Sequence, residues 1–216
     1  MKRKASFLLG LVLATVAFSL GSAAQDRKPV KLPPPQTDGG RPLMQVLKER
    51  KSTREFGPGT LSPQTLSNLL WAAFGINRPD GRRTAPSAMN WQEVSIYVVT
   101  PEGVYIYDAK GNALNPVLAG DFRAATGTQS FVKDAAVNLA YVSDLSKTGN
   151  AASSEAEMYT AADVGFIAQN VYLYCASEGL ATVVRAGIDK PALAKTLNLQ
   201  PQQKIILAQS VGYPKK

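Results

Sequence analysis

From Pro42 onward, apolar residues fall into short helical and strand-like groups separated by polar stretches that carry glycine and proline. Leu43, Val46 and Leu47 stand at helical spacing and predict a first helix, which runs into the basic cluster Lys48, Arg50, Lys51 and Arg54. Ser62 followed by Pro63 is an N-terminal helix signal. Behind it Leu66, Leu69, Leu70, Ala73 and Phe74 recur at i, i+3, i+4, i+7 and i+8, so a second helix with one apolar face is expected. An arginine-rich loop, Asn77 to Gln92, then leads to the strand-like runs Val94 to Val99 and Val104 to Tyr107. These are joined at Pro101-Glu102-Gly103 as a β-hairpin.

Asn115 to Val132 reads as mixed helix and loop, Ala135 to Val142 as a strand, and Ser146 to Ser153 as a small, polar, exposed segment. The strongest helix follows. Ser154 and Glu157 make a capping-box pattern, and Gly179 is placed to end the helix. Between them Ala161, Ala162, Val164, Phe166, Ile167, Val171, Leu173, Cys175 and Ala176 are apolar nearly all round, which predicts a helix serving both the core and a subunit interface. Gly179 to Gly187 reads as a helix cap and connector. A short helix near Asp189 to Leu197 and a last strand, Lys204 to Val211, complete an α+β order without regular βα alternation.

The N-terminus adds a different signal. Lys2, Arg3 and Lys4 precede the apolar run Phe7 to Leu20 and the small residues Gly21, Ser22, Ala23 and Ala24, the layout of a cleaved signal peptide (residues 1–24). The run is shorter than the roughly 20 residues that span a bilayer, so no stable membrane insertion is expected. An exported, periplasmic protein follows. Gln25 to Arg41, with Pro33, Pro34 and Pro35 in a row, reads as a linker or extended arm, and residues 42–216 as one folded domain.

Composition narrows the chemistry. The 216 residues contain no histidine and one cysteine, Cys175. That excludes a zinc tetrahedron, a Ser-His-Asp triad and an intrachain disulfide. Cys175, inside an apolar segment, reads as a core residue. The net charge of +8 suggests an anionic partner. Nucleic acid is disfavoured, because Trp71, Trp91 and Tyr97 lie in apolar patterns and not among the basic clusters. Tyr105 and Tyr107 alternate along a strand and read as sheet packing. Asp134 and Asp163 have no paired carboxylate at a useful spacing, so no general acid is assigned.

Three polar segments remain. Arg50-Lys51-Ser52-Thr53-Arg54 offers guanidinium, ammonium and hydroxyl donors suited to a phosphate. Pro86-Ser87-Ala88-Met89-Asn90-Trp91-Gln92 is a turn whose two amides both donate and accept. Gly179 to Gly187 brings small residues past a helix end, with Arg185 either a ligand contact or an exposed loop residue.

Taken in order, these segments resemble the FMN-dependent nitroreductase superfamily, and within it the SagB-like, azoline-oxidase-type dehydrogenases. The resemblance covers Pro42 to Lys216. Arg50, Lys51, Ser52 and Arg54 are similar to the family's opening motif, which holds the FMN phosphate and flavin pyrimidine. Pro86, Ser87, Ala88, Met89, Asn90 and Gln92 resemble a loop lying against the ribityl chain and ring, usually from the partner subunit. Ala168-Gln169-Asn170, Glu178-Gly179-Leu180 and Ala186-Gly187 look like the helix and connector that bring backbone N–H groups near flavin N5. Lys215, after Val211-Gly212-Tyr213-Pro214, is similar to a basic phosphate clamp. Ala186 stands where some members carry glutamate, which leaves only a backbone role there.

The resemblance implies a central, mostly antiparallel sheet flanked by helices, FMN as cofactor, and a homodimer with a small-molecule electron donor and acceptor. It implies ping-pong electron transfer to a flat conjugated acceptor such as a nitroaromatic or quinone, or dehydrogenation of a substrate. The flavin carries that chemistry, so no catalytic side chain is assigned. The alternatives are a flavin-binding module without turnover and a basic protein that binds anions or nucleic acid.

Overall fold

The computed structural model describes residues 27–149, 151 and 153–216. The predicted signal peptide lies outside the described residues. Seven strands form one sheet: β1 (Val30–Lys31), β2 (Val94–Thr100), β3 (Gly103–Asp108), β4 (Ala113–Ala119), β5 (Val137–Asp144), β6 (Ala181–Arg185) and β7 (Gln203–Gly212). Their order is β1-β4-β3-β2-β5-β7-β6, and every pairing is antiparallel. The helices are α1 (Leu43–Glu49), α2 (Pro63–Phe74), α3 (Ser153–Glu178) and α4 (Lys190–Thr196). The α+β expectation holds.

Alternation along the central strands sends side chains to two cores. Ile96, Val98, Leu139 and Tyr141 pack on one face under α2 and α3, against Leu69, Leu70, Phe74, Val164, Ile167, Val171 and Cys175. Tyr97, Val99, Ala140 and Val142 pack on the other, with Leu193 of α4 and Leu197. Cys175 is buried and its thiol is pushed above the ordinary range by burial, so it is a core residue as expected. Tyr105 and Tyr107 are buried packing residues, also as expected.

Local signals explain the helix ends. The Ser62 hydroxyl accepts the Thr65 N–H at 3.0 Å, with Pro63 opening α2. Gly179 takes φ +70°, and Leu180 N–H returns to the Cys175 carbonyl at 2.8 Å, a glycine stop of the Schellman kind. The start of α3 differs from expectation: the helix begins at Ser153, so Ser154 lies in its first turn rather than at its cap.

Two further expectations are corrected. Asn115 to Val132 does not begin as loop, because Ala113–Ala119 is β4. Gly179 to Gly187 is not mainly a connector, because its middle is β6. Of the linker and the extended arm offered for the stretch before Arg41, the described residues form the arm, packed onto the domain rather than free of it. Val30 and Lys31 pair with Leu114 and Ala113, Ser67 Oγ donates to the Pro33 carbonyl at 2.6 Å, and Gln36 N–H donates to Asn68 Oδ1 at 2.8 Å.

The long helix is buried on one side only. Asp163, Val164, Ile167, Ala168, Val171 and Cys175 face inward, while Met158 (59% exposed), Ala161, Ala162, Gly165 and Phe166 (48% exposed) form an open stripe. Leu43, Met44 and Leu47 of α1 are exposed as well.

Candidate functional site

The predicted site residues gather in two places. At the first, Thr53 N–H bonds to the Thr182 carbonyl of β6 at 2.9 Å, and Gly57 N–H to the Tyr213 carbonyl at 2.9 Å. Phe56 bridges Pro214. These bonds lay Arg50 to Arg54 beside β6 and the chain end. Tyr172 of α3 is the hub. Its hydroxyl pairs with Ser52 Oγ at 2.7 Å and accepts Val184 N–H at 3.0 Å, and the Arg50 guanidinium lies 5.2 Å from the ring centroid. That stacking orients a cation without neutralising it.

Lys51, Thr53, Tyr172, Thr182 and Lys215 line one cavity of about 650 Å³. Among the described residues none of Arg50, Lys51, Arg54 or Lys215 is in an ion pair, unlike Arg41 with Glu49 or Arg123 with Asp121. Of these four cations Lys51 and Lys215 line the cavity itself, beside the Arg41–Glu49 pair, and unpaired cations at a groove suit a dianionic phosphate.

Ala186 and Gly187 continue from β6, so they share this side of the molecule. Their carbonyls are taken by Ile188 N–H (2.8 Å) and Thr128 N–H (2.9 Å). A Cβ at Gly187 would meet Gln129 Nε2 at 2.1 Å, so a side chain there would displace the Gln129 amide. Arg185 is neither an exposed loop residue nor a ligand contact. It is 7% exposed, with Nε on Ser210 Oγ (3.1 Å) and Nη2 on Thr126 Oγ1 (3.0 Å) and Asn138 Oδ1 (2.9 Å). Its Nη1 donates to the Thr126 carbonyl. Burial draws it down to about 10.

At the second place, Pro86 to Gln92 forms an exposed loop with left-handed backbone at Met89 (φ 49°), Asn90 (φ 56°) and Gln92 (φ 48°). Such backbone in residues other than glycine costs energy and collects where ligands are gripped. The loop is pinned from beneath. Asp163 Oδ2 of α3 accepts Ala88 N–H at 2.9 Å, Trp91 packs edge-on against Tyr159 at 6.0 Å, and Gln92 N–H donates to Ser87 Oγ at 3.1 Å. Arg83 Nε donates to Gln92 Oε1 at 2.8 Å while the guanidinium sits over Phe74 at 4.5 Å. The Gln92 amide is therefore spent on the loop itself, whereas Met89 is 84% exposed and Pro86 and Asn90 are exposed.

Sequence reasoning missed Tyr172, Arg83 and the carboxyl pair Glu93 and Asp163. Asp163 does have a paired carboxylate: Glu93, buried beside it at the start of β2. Burial and the neighbouring charge raise Glu93, and burial raises Asp163. The usable signals were Glu93 opening a β-branched strand and Asp163 interrupting an apolar helix face.

Asp163 and Tyr172 are nine residues apart on α3, about 14 Å along its axis. Within one chain the loop and the basic cluster are thus separate. Among the described residues no His, Cys, Asp or Glu cluster can hold a metal, and no helix is long and apolar enough to cross a membrane.

The nitroreductase family model matches residues 47–213. A protein of Methanocaldococcus jannaschii named as a nitroreductase is 32% identical over 151 residues, 65% of this chain and 76% of that protein. A Ralstonia eutropha crystal structure described as a nitroreductase superposes with a TM-score of 0.84 at 38% identity, over 90% of this chain and 93% of that one. The NADPH:FMN oxidoreductase of Vibrio harveyi, solved with NAD+, gives a TM-score of 0.61 at 22% identity over 81% of this chain and 69% of that one, a likeness of fold.

Proposed function

Because the chain belongs to the nitroreductase family, we propose that it is an FMN-dependent oxidoreductase whose two flavin sites are each completed by a second copy of the chain. The observation that carries this is the placement of the two half-sites at two levels of one helix, joined by its exposed apolar stripe. A two-fold axis crossing α3 between Phe166 and Gln169 sets the Asp163 level of one copy against the Tyr172 level of the other. Each Pro86–Gln92 loop then meets the partner's basic cluster.

The donor set fits FMN. Arg50, Lys51, Arg54 and Lys215 would hold the phosphate. Ser52, already oriented by Tyr172, has hydroxyl capacity left for the ring edge. Ala186 and Gly187, with their carbonyls already bonded to Ile188 and Thr128, would offer backbone N–H groups, and Pro86 to Asn90 would cover the ribityl chain. Bound FMN supplies electron transfer from a small-molecule donor to a flat conjugated acceptor in alternation, nitroaromatic or quinone-like, or the reverse dehydrogenation. The chain's part is to bind, orient and cover. The opening motif and the Pro-Ser loop favour the SagB-like branch, and the basic, apolar and small-residue order of residues 1–24 supports export to the periplasm.

Arg50→Ala and Lys51→Ala are each expected to weaken FMN binding by roughly tenfold to a hundredfold, the worth of one charge-assisted hydrogen bond. Riboflavin, which lacks the phosphate, should bind variants and parent alike, and fluorescence titration reads both. For turnover, the reading expects yellow protein whose flavin bands bleach anaerobically with a nicotinamide donor and return with a quinone. Bands that no donor bleaches would assign a binding module, and protein that stays colourless after FMN is added would overturn the reading.

A further inference from the structure

Two buried carboxyl groups face each other where the ligand loop meets α3. Glu93 is 0% exposed and Asp163 is 3% exposed. Neither Glu93 oxygen receives a hydrogen bond from a side-chain or backbone donor in good geometry. The neighbouring Thr160 hydroxyl offsets only part of the burial and is itself the acceptor for Ser143 Oγ at 3.3 Å.

The groups around the pair come from each element packed there: Asp163 and Thr160 from α3, Ser143 from β5, and Ala88 N–H from the loop. No lysine or arginine is among them. Two adjacent carboxylates without a cation cannot both be ionised at a buried position. One proton resolves both difficulties. Carried by Glu93, it donates to Asp163, and Asp163 keeps its negative oxygen for Ala88 N–H.

We propose that Glu93 and Asp163 share one proton, and that this protonated pair is the positioning device that holds the Pro86–Gln92 loop in its ligand-binding shape. The inference rests on the assignment of that loop to flavin. Its pH dependence has a definite sign. Glu93 is held above its ordinary value by burial and by the Asp163 charge, so the paired state is present at lower pH and is lost as pH rises through that raised value. Beyond it, two negative charges repel, Asp163 leaves Ala88, and the left-handed segment at Met89 and Asn90 loses its anchor.

The test follows the Ala88 amide by 1H–15N NMR across pH in flavin-free protein, alongside the FMN Kd over the same range. The parent is expected to show one step above the ordinary carboxylate range, with FMN binding weakening roughly tenfold per pH unit beyond it. Glu93→Gln replaces the shared proton with an amide donor and should lose the step and the weakening of FMN binding at the raised value while still binding FMN, leaving at Ala88 only the acid-side protonation of Asp163. Asp163→Asn can still accept from Ala88 and donate to Glu93, so its step should move down toward the ordinary carboxylate value.

An Ala88 signal without the raised step, or a step at that same raised value that persists in Glu93→Gln, would overturn the proposal. An Ala88 step as expected with an FMN Kd that ignores it would uphold the pair as the loop's anchor and remove the loop from the flavin site.

Discussion

Phe166→Glu is expected to yield a folded monomer that no longer retains FMN. Phe166 is 48% exposed on the outward stripe of α3, beside Gly165 and one turn from Ala162, so its ring contributes little to the fold of the single chain. The inward face, from Val164 through Ile167 and Val171 to Cys175, is untouched. Across a two-fold axis the same residue is counted twice. Burying a fully exposed phenylalanine is worth about 1.5–3 kcal/mol, and about half of Phe166 is still exposed, so the pair contributes roughly 1.5–3 kcal/mol to association, and glutamates facing each other add repulsion and desolvation. Dimer affinity should fall by more than about a hundredfold, and flavin affinity with it, because each site loses the partner's loop. Analytical ultracentrifugation and FMN fluorescence measure the two losses. A monomer that binds FMN as tightly as the parent would refute the shared site.

Arg185→Ala is expected to lower stability by more than any substitution among the exposed basic residues. The guanidinium joins β6 to Ser210 of β7, Asn138 of β5 and Thr126 before the Ser130–Lys133 turn. Removing it leaves several buried acceptors without donors, at about 1–3 kcal/mol each, and a loss on the order of 3 kcal/mol or more follows. The same bonds hold the Thr126–Gln129 segment against Gly187, whose carbonyl accepts Thr128 N–H, so the variant should also weaken flavin binding. Thermal unfolding checks the first effect. A midpoint within a degree or two of the parent would show that water replaces the guanidinium at little cost.

The helices and the central strands were legible because burial writes them into the sequence. Ser62-Pro63 and the Leu66 to Phe74 stripe give α2 at its observed boundary, and the Val94 and Val104 runs give the hairpin. Strand β4 was hidden by Asn115 and Pro116. The structure accommodates the proline at a bulge, where Tyr105 faces Pro116 and Val104 faces Leu118, and beyond the short reach of β1. Strand β6 follows a helix stop at once, and the glycines around it outweighed the Thr182-Val183-Val184 run.

Of the site, the basic cluster and the Pro-Ser loop were legible by residue type. Their support was not. Tyr172, Arg83 and Glu93 act across 120, 9 and dozens of residues of chain, and only Arg83 to Gln92 is a local contact. For Arg185 the sequence offers a ligand contact or an exposed loop residue and not a buried one, because a charged side chain in a small-residue segment carries no mark of the Ser210, Asn138 and Thr126 acceptors that let it be buried. Likewise α3 was read as apolar on most sides, and only the packing distinguishes its core face from the open stripe that suits a second copy.

The most direct test of the composite site is sedimentation velocity of the FMN-loaded protein, followed at the flavin band and at the protein band together. One boundary at the dimer mass carrying one flavin per chain is expected, with no flavin moving with a monomer at any dilution. Flavin that sediments with a stable monomer, or that stays behind while the protein sediments as a dimer, would contradict it.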